Sequence, residues 1–198
     1  MTWEQALAFF AFSVAAAATP GPSNVLLTAT GAHVGVVRGL PCLLGVALGM
    51  AWMMCIVAFG LGSVILGNPL VLKVVKWTGA AMLCWLAWKV ATARRSTARV
   101  AGQPVGLVGA AALQWVNPKS WLVCASAAAT FLDAGAGGAL AQSAALGLVF
   151  FVAVLPSCLP WLAFGAVLQR VLRSERAFRT FNGAMGVLLA ASVILYLW

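Results

Sequence analysis

The chain has 198 residues, of which 64% are hydrophobic and 8% charged, with a formal net charge of +9. An ordinary soluble domain is about 45–50% apolar and about 25% charged, so this composition implies an integral membrane protein. The apolar runs do not alternate with period two as outer-membrane barrel strands do, and the Lys and Arg residues sit at segment ends rather than on an aromatic-interleaved basic face. A helical membrane protein with no nucleic-acid partner is therefore expected.

A bilayer-spanning helix takes about 20 mostly apolar residues, and on that measure the sequence reads as six spans. The first covers residues 4–32 and is followed by a short link, 33–38, in which His33 reads as solvated. The second covers 39–66 and ends at the turn Gly67-Asn68-Pro69. The third covers 70–91, with Lys73 and Lys76 at its start and Lys89 at its end, all placed to snorkel to an interface. Residues 92–104 form a polar stretch carrying Arg94, Arg95 and Arg99. The fourth span covers 105–132, followed by Asp133 and the turn Gly135 to Gly138; the fifth covers 140–168. A basic loop with Arg170, Arg173, Arg176 and Arg179 around Glu175 leads to the sixth, 181–198. Counting Lys and Arg places the odd-numbered links in the cytoplasm and both termini outside, because basic residues are retained on the cytoplasmic side. Glu4 stands where a cleavable signal peptide would be positive, so none is expected.

Two of these spans are interrupted. In the first, Thr19-Pro20-Gly21-Pro22-Ser23-Asn24 cannot continue a helix, since each proline lacks the N–H that bonds back one turn and its ring presses on the preceding turn. In the fourth, Gln114-Trp115-Val116-Asn117-Pro118-Lys119-Ser120 breaks at Asn-Pro and places an ionisable lysine near mid-span. Freed backbone groups survive in hydrocarbon only when buried in protein or facing a water-filled cavity, and intramembrane ionisable residues are functional candidates. A structural kink, with Lys119 bonded to freed carbonyls, accounts for each motif taken singly. Their positions say more: they open two three-span halves, and halves of three spans insert with opposite orientations. Interruptions at matching places in inverted halves point to a transporter site. The expected fold is thus an all-α membrane protein of two inverted three-helix repeats, residues 1–93 and 105–198, joined by a cytoplasmic linker, 94–104, with helices 1 and 4 broken.

Other features are read as structural. Gly31, Gly35 and Gly39, and Gly45 and Gly49, have the spacing of close helix approach. Pro41, Pro156 and Pro160 are expected to kink spans two and five. Cys42, Cys55, Cys84, Cys124 and Cys158 lie singly with no CxxC pair, as buried thiols do. Most tryptophans read as interface anchors, with Trp115 and Trp121 flanking the second break.

At its two broken motifs the chain resembles the lysine exporter (LysE/RhtB) family of amino-acid efflux proteins. The resemblance runs from Thr19-Pro20-Gly21-Pro22 and Asn24 through Gly31-Ala32-His33-Val34-Gly35, Arg38-Gly39-Leu40-Pro41 and Leu44-Gly45-Val46-Ala47-Leu48-Gly49 to Asn117-Pro118-Lys119. The second motif through Trp121, with Phe181-Asn182, is most similar to the branch exporting cysteine and O-acetylserine; Ser23 departs from the family, which more often has Asn there. The resemblance implies a secondary transporter of the bacterial inner membrane that exports small, mostly neutral amino acids or derivatives (cysteine/O-acetylserine-like, homoserine/threonine-like) by alternating access, without ATP. No Walker-type loop occurs and no cofactor or metal is implied. The partners expected are a small amino-acid substrate and the lipid bilayer, and homo-oligomers are compatible with the sequence. Substrate contacts are assigned to Pro20, Gly21, Pro22, Ser23 and Asn24 on one side and to Gln114, Asn117, Pro118 and Lys119 on the other. The rival reading is a membrane thiol-redox carrier using Cys42 and Cys158, which sit near the prolines of spans two and five in Pro41-Cys42 and Pro156-Ser157-Cys158.

Overall fold

The computed structural model describes residues 1–61, 69–92, 105–132, 138–171 and 174–197, and the regular secondary structure among them is helical. Helix α1, Trp3–Ala18, opens on a capping box in which Gln5 N–H donates to Thr2 Oγ1 (3.2 Å) and Thr2 N–H donates to Gln5 Oε1 (2.9 Å). Helix α2, Pro22–Ile56, runs on into a π-helical turn, Val57–Leu61. Its apolar stretch, Pro22–Gly60, is 39 residues long, and its most apolar 18 residues have a mean hydropathy of 2.3. Drawn out straight it would extend about 60 Å, twice the hydrocarbon thickness.

It does not run straight. Gly35 takes φ 79°, a left-handed value that glycine adopts without steric cost. Thr30 Oγ1 lies 3.7 Å from Cys42 Sγ, whereas twelve residues of straight helix separate side chains by about 18 Å. The α2 segment is therefore a hairpin of two helices reversing at Gly35. The link expected over residues 33–38 contracts to one residue, and His33 stands partly buried inside the helix before it. A glycine with positive φ makes the reversal alone, leaving Val34, Val36 and Val37 free to extend the helices on either side.

Helix α3 covers Pro69–Thr92, α4 Leu107–Val116, α5 Pro118–Phe131, α6 Ala139–Val171 and α7 Glu175–Leu197. The helix continues through Pro41 in α2 and through Pro156 and Pro160 in α6. Ser174 Oγ accepts from Ala177 N–H (3.1 Å), and Glu175 stands in the first turn of α7. These N-terminal signals start α7 six residues before the expected sixth span, so Arg176 and Arg179 sit on helix rather than in a loop. The Gly67-Asn68 turn, the linker 94–104, Asp133, Gly135 to Gly137 and Arg173 lie outside the described residues.

Close backbone approach sets the packing. A Cβ on Gly31 would collide with the Leu162 carbonyl oxygen, and one on Gly165 with that of Thr28, so α2 and α6 touch backbone to backbone there. Gly45 and Gly49 do the same against Leu107 and Ala111 of α4. Phe9 of α1 packs on Phe131 of α5 and Phe150 of α6, with ring centroids 5.0 and 6.2 Å apart. The outer surface carries large apolar side chains, among them Trp52, Trp77, Leu148 and Phe164. A soluble monomer seldom exposes so much. Among the described residues, Pro22–Gly60, counted through its reversal at Gly35, and Ala139–Leu168 are by length and composition apolar enough to cross a membrane.

Candidate functional site

The two proline motifs are helix boundaries that meet in space. Helix α1 stops at Ala18, Thr19 caps it in an extended conformation, and α2 restarts at Pro22 with Gly21 as N-cap. Helix α4 stops at Val116, and α5 restarts at Pro118 with Asn117 as N-cap. In both restarts proline holds the first helical position, where its missing N–H costs nothing.

The caps differ. Asn117 Oδ1 accepts from Lys119 N–H (3.1 Å), closing the start of α5. Gly21 has no side chain to offer, so the first N–H groups of α2, those of Ser23 and Asn24, receive no side-chain cap. The positive end of that helix is left facing the space between the two boundaries.

That space is bridged by polar side chains from both motifs. Ser23 Oγ donates to Gln114 Oε1 (2.9 Å) and accepts from Asn117 Nδ2 (3.2 Å). Ser120 Oγ also donates to Gln114 Oε1 (3.1 Å), and Gln114 Nε2 is tied to the Ala110 carbonyl (3.0 Å). Gln114 is fully buried, as Asn24, Asn117 and Ser120 very nearly are. Asn24 Nδ2 donates to the freed carbonyls of Ala17 (3.1 Å) and Thr19 (2.9 Å) at the end of α1. The Lys119 ammonium reaches across from the second motif and donates to the same Thr19 carbonyl. Its side chain lies over Gly21, where a Cβ would stand 2.9 Å from Lys119 Cδ.

A cavity of about 30 Å³ opens between these groups. Gly21, Ser23, Asn24, Asn117, Lys119 and Ser120 form its polar side, and Val46, Met50, Val123, Phe150 and Val154 its apolar side. Cys158 completes the wall, with its thiol 3.8 Å from Asn24 Oδ1. No Asp or Glu lines it. Room of this order holds about a water or two, so the arrangement is closed around its own polar groups.

Of the nine residues assigned from the sequence, five line this cavity: Gly21, Ser23, Asn24, Asn117 and Lys119. Gln114 stands behind them as the acceptor that joins Ser23 to Ser120. Pro22 and Pro118 are buried helix starts, and Pro20 is exposed and away from the cavity wall. Trp121 Nε1 donates to the freed Trp115 carbonyl (2.7 Å), so this pair seals the second boundary rather than lining the cavity. The sequence reading missed Thr28, whose hydroxyl donates to the carbonyls of Asn24 (2.9 Å) and Trp161 (3.2 Å) and fixes α2 to α6. The apolar wall was missed too, because its members come from three helices distant in sequence. Cys42 bonds Thr30 and lies off the cavity, and the described cysteines are free thiols. Among the described residues no cluster of His, Cys, Asp and Glu could hold a metal ion.

The family described as "LysE type translocator" matches residues 14–195. A cysteine/O-acetylserine efflux protein of Salmonella paratyphi A is 33% identical over 190 residues, covering 94% of this chain and 92% of its own. The protein of the same name from Escherichia coli K12 is 29% identical over 193 residues, with the same shares covered. No solved structure matches. With a match spanning both interruptions and nearly the whole chain, the protein belongs to the LysE-type translocator family.

Proposed function

We propose that the protein exports small, mostly neutral amino acids or their derivatives, cysteine and O-acetylserine among them, from the cytoplasm across the bacterial inner membrane by alternating access. One observation carries this reading. The Lys119 ammonium of the second motif and the uncapped start of α2 in the first converge on one cavity whose lining holds no carboxylate. Positive groups gathered without a counter-charge call for an anionic ligand group. An amino-acid carboxylate supplies it, hydrogen-bonded by Ser23, Asn24 and Asn117. The apolar wall of Val46, Met50 and Phe150 suits a small side chain with little charge. The names of the relatives, cysteine/O-acetylserine efflux protein, agree with that chemistry.

In this reading α1 with the first arm of α2, and α4 with α5, are the broken spans of two inverted repeats, residues 1–93 and 105–198. Three features support the pairing. Both restarts have proline at the first helical position. The half-helix before each break packs on a helix of the other half, α1 on α6 through Phe9 and Phe150, and α4 on α2 through Gly45 and Gly49. The first arm of α2 also runs parallel to α6, with Asn24 beside Cys158 and Thr28 beside Trp161. In the same reading the odd-numbered links, which carry most of the positive charge, face the cytoplasm and both termini lie outside.

Export of cysteine and O-acetylserine from cells expressing Lys119→Ala and Asn24→Ala tests the proposal. Each substitution is expected to cut efflux severely while the protein still reaches the membrane. Efflux at the wild-type level from both variants would show that the cavity is not the substrate site.

A further inference from the structure

We infer that the Thr19 carbonyl is the docking point for the substrate's α-ammonium group, and that in the empty protein the Lys119 ammonium stands there in its place. The inference rests on the amino-acid reading above and assigns a partner to the half of the substrate which that reading leaves open.

Helix α1 ends at Ala18 with Thr19 as its cap, so the carbonyls of Ala17 and Thr19 have no helical partner and stand at the negative end of its dipole. Asn24 Nδ2 draws two of them together by donating to Ala17 (3.1 Å) and Thr19 (2.9 Å). Asn24 Oδ1 lies alongside, 3.8 Å from the Cys158 thiol. The result is a cluster of three acceptors with no acid among the cavity residues. Such a cluster suits a primary ammonium, and it already holds one, because Lys119 Nζ donates to Thr19 O.

Lys119 has a second place to go. Its Nζ lies 3.2 Å from where a Gly21 Cβ would stand, beside the uncapped first turn of α2. A carboxylate arriving at that turn draws the ammonium toward itself. The Thr19 carbonyl that Lys119 leaves, still held by Asn24 Nδ2, is then taken by the ammonium of the same ligand, so one ammonium replaces another at the same acceptor. The cavity of about 30 Å³ is small for an amino acid, and Lys119 is one of its walls, so moving that side chain makes room for the ligand. The empty protein thus keeps its site satisfied through its own lysine. That allows it to return across the membrane without cargo.

The test uses purified full-length protein in liposomes, with radiolabelled cysteine moved either by exchange or by net efflux. N-acetylcysteine keeps the carboxylate and thiol but has no ammonium, and is expected to compete with cysteine at least about tenfold more weakly on the wild-type protein. Equal competition overturns the inference. Lys119→Met is expected to lower the ratio of net efflux to exchange by about tenfold or more and to raise the KM for exchange, while Lys119→Arg, which still reaches the carbonyl, restores the ratio. A Lys119→Met ratio equal to wild type also overturns it. If the wild-type protein moves no amino acid in either mode, the amino-acid reading itself fails and this inference falls with it.

Discussion

Replacing Gly21 by alanine adds one methyl group at the point where the two halves of the cavity meet. The backbone there is extended, with φ −176° and ψ −177°, a conformation any residue adopts, so the change introduces no backbone strain. The new Cβ would lie 2.9 Å from Lys119 Cδ and 3.2 Å from Nζ. Both are atoms of a flexible side chain, which gives way at little cost. Folding loses only the difference between glycine and alanine as N-cap, about 0.5–1 kcal/mol. The Lys119 ammonium, however, is pushed off the first turn of α2, the place where it is to meet the substrate carboxylate. A hydrogen bond with a charged partner contributes about 1.5–3 kcal/mol, which corresponds to a loss of about ten- to a hundredfold in apparent substrate affinity. Transport of radiolabelled cysteine into inside-out vesicles over a range of concentrations measures that loss, and thermal unfolding in detergent measures stability on the same preparation. An unchanged affinity would refute the placement of Lys119, and so would a collapse in stability without a specific effect on transport.

Gly31→Ala and Gly165→Ala push a Cβ into backbone atoms of the facing helix, which cannot rotate away. Each should destabilise the protein by about 1–3 kcal/mol in detergent unfolding, whereas Gly183→Ala, with open space around its Cβ position, should be tolerated. A double-mutant cycle of Ser23→Ala with Gln114→Leu should show coupling of about 0.6–1.7 kcal/mol, the range for hydrogen bonds between membrane helices; independence of the two would mean that the 2.9 Å bond does not form. Asn117→Ala removes the cap on α5 and the bond to Ser23, and should cost about 1–2 kcal/mol in unfolding experiments together with most of the efflux. Cys42→Ala should export cysteine normally, because Cys42 bonds Thr30 and is not among the residues lining the cavity. Loss of export there would revive thiol redox chemistry.

Much of the helical layout was legible in the sequence, because long apolar runs bounded by polar residues leave few alternatives in a membrane. The proline motifs could be placed to the residue, since proline at the first position of α2 and α5 fixes where each helix restarts. What periodicity could not give was the reversal at Gly35, which looked like one more member of a small-residue stripe until its φ was known. Nor could it place Ser174 as the cap that pulls Arg176 and Arg179 onto α7. In the cavity, residue types that announce themselves in hydrocarbon, such as Lys119, Asn24 and Asn117, were legible. Val46, Phe150 and Val154 were not, because an apolar wall in an apolar helix carries no local signal. Pro20 was assigned with its neighbours but lies exposed, since the chain turns inward only from Gly21.

The claim on which the rest depends is that the Thr19–Asn24 and Gln114–Ser120 segments form one pocket. The most direct test is thiol cross-linking in native membranes between Ser23→Cys and Asn117→Cys, in a background without the native cysteines, using a short bifunctional reagent. Ser23 Oγ and Asn117 Nδ2 are 3.2 Å apart, so the pair should join rapidly and be protected by cysteine analogues that lack a thiol, such as O-acetylserine. A control pair of Ser23→Cys with Thr130→Cys, an exposed position at the far end of α5, should not join. Failure of the first pair, or equal joining of both, would contradict the account.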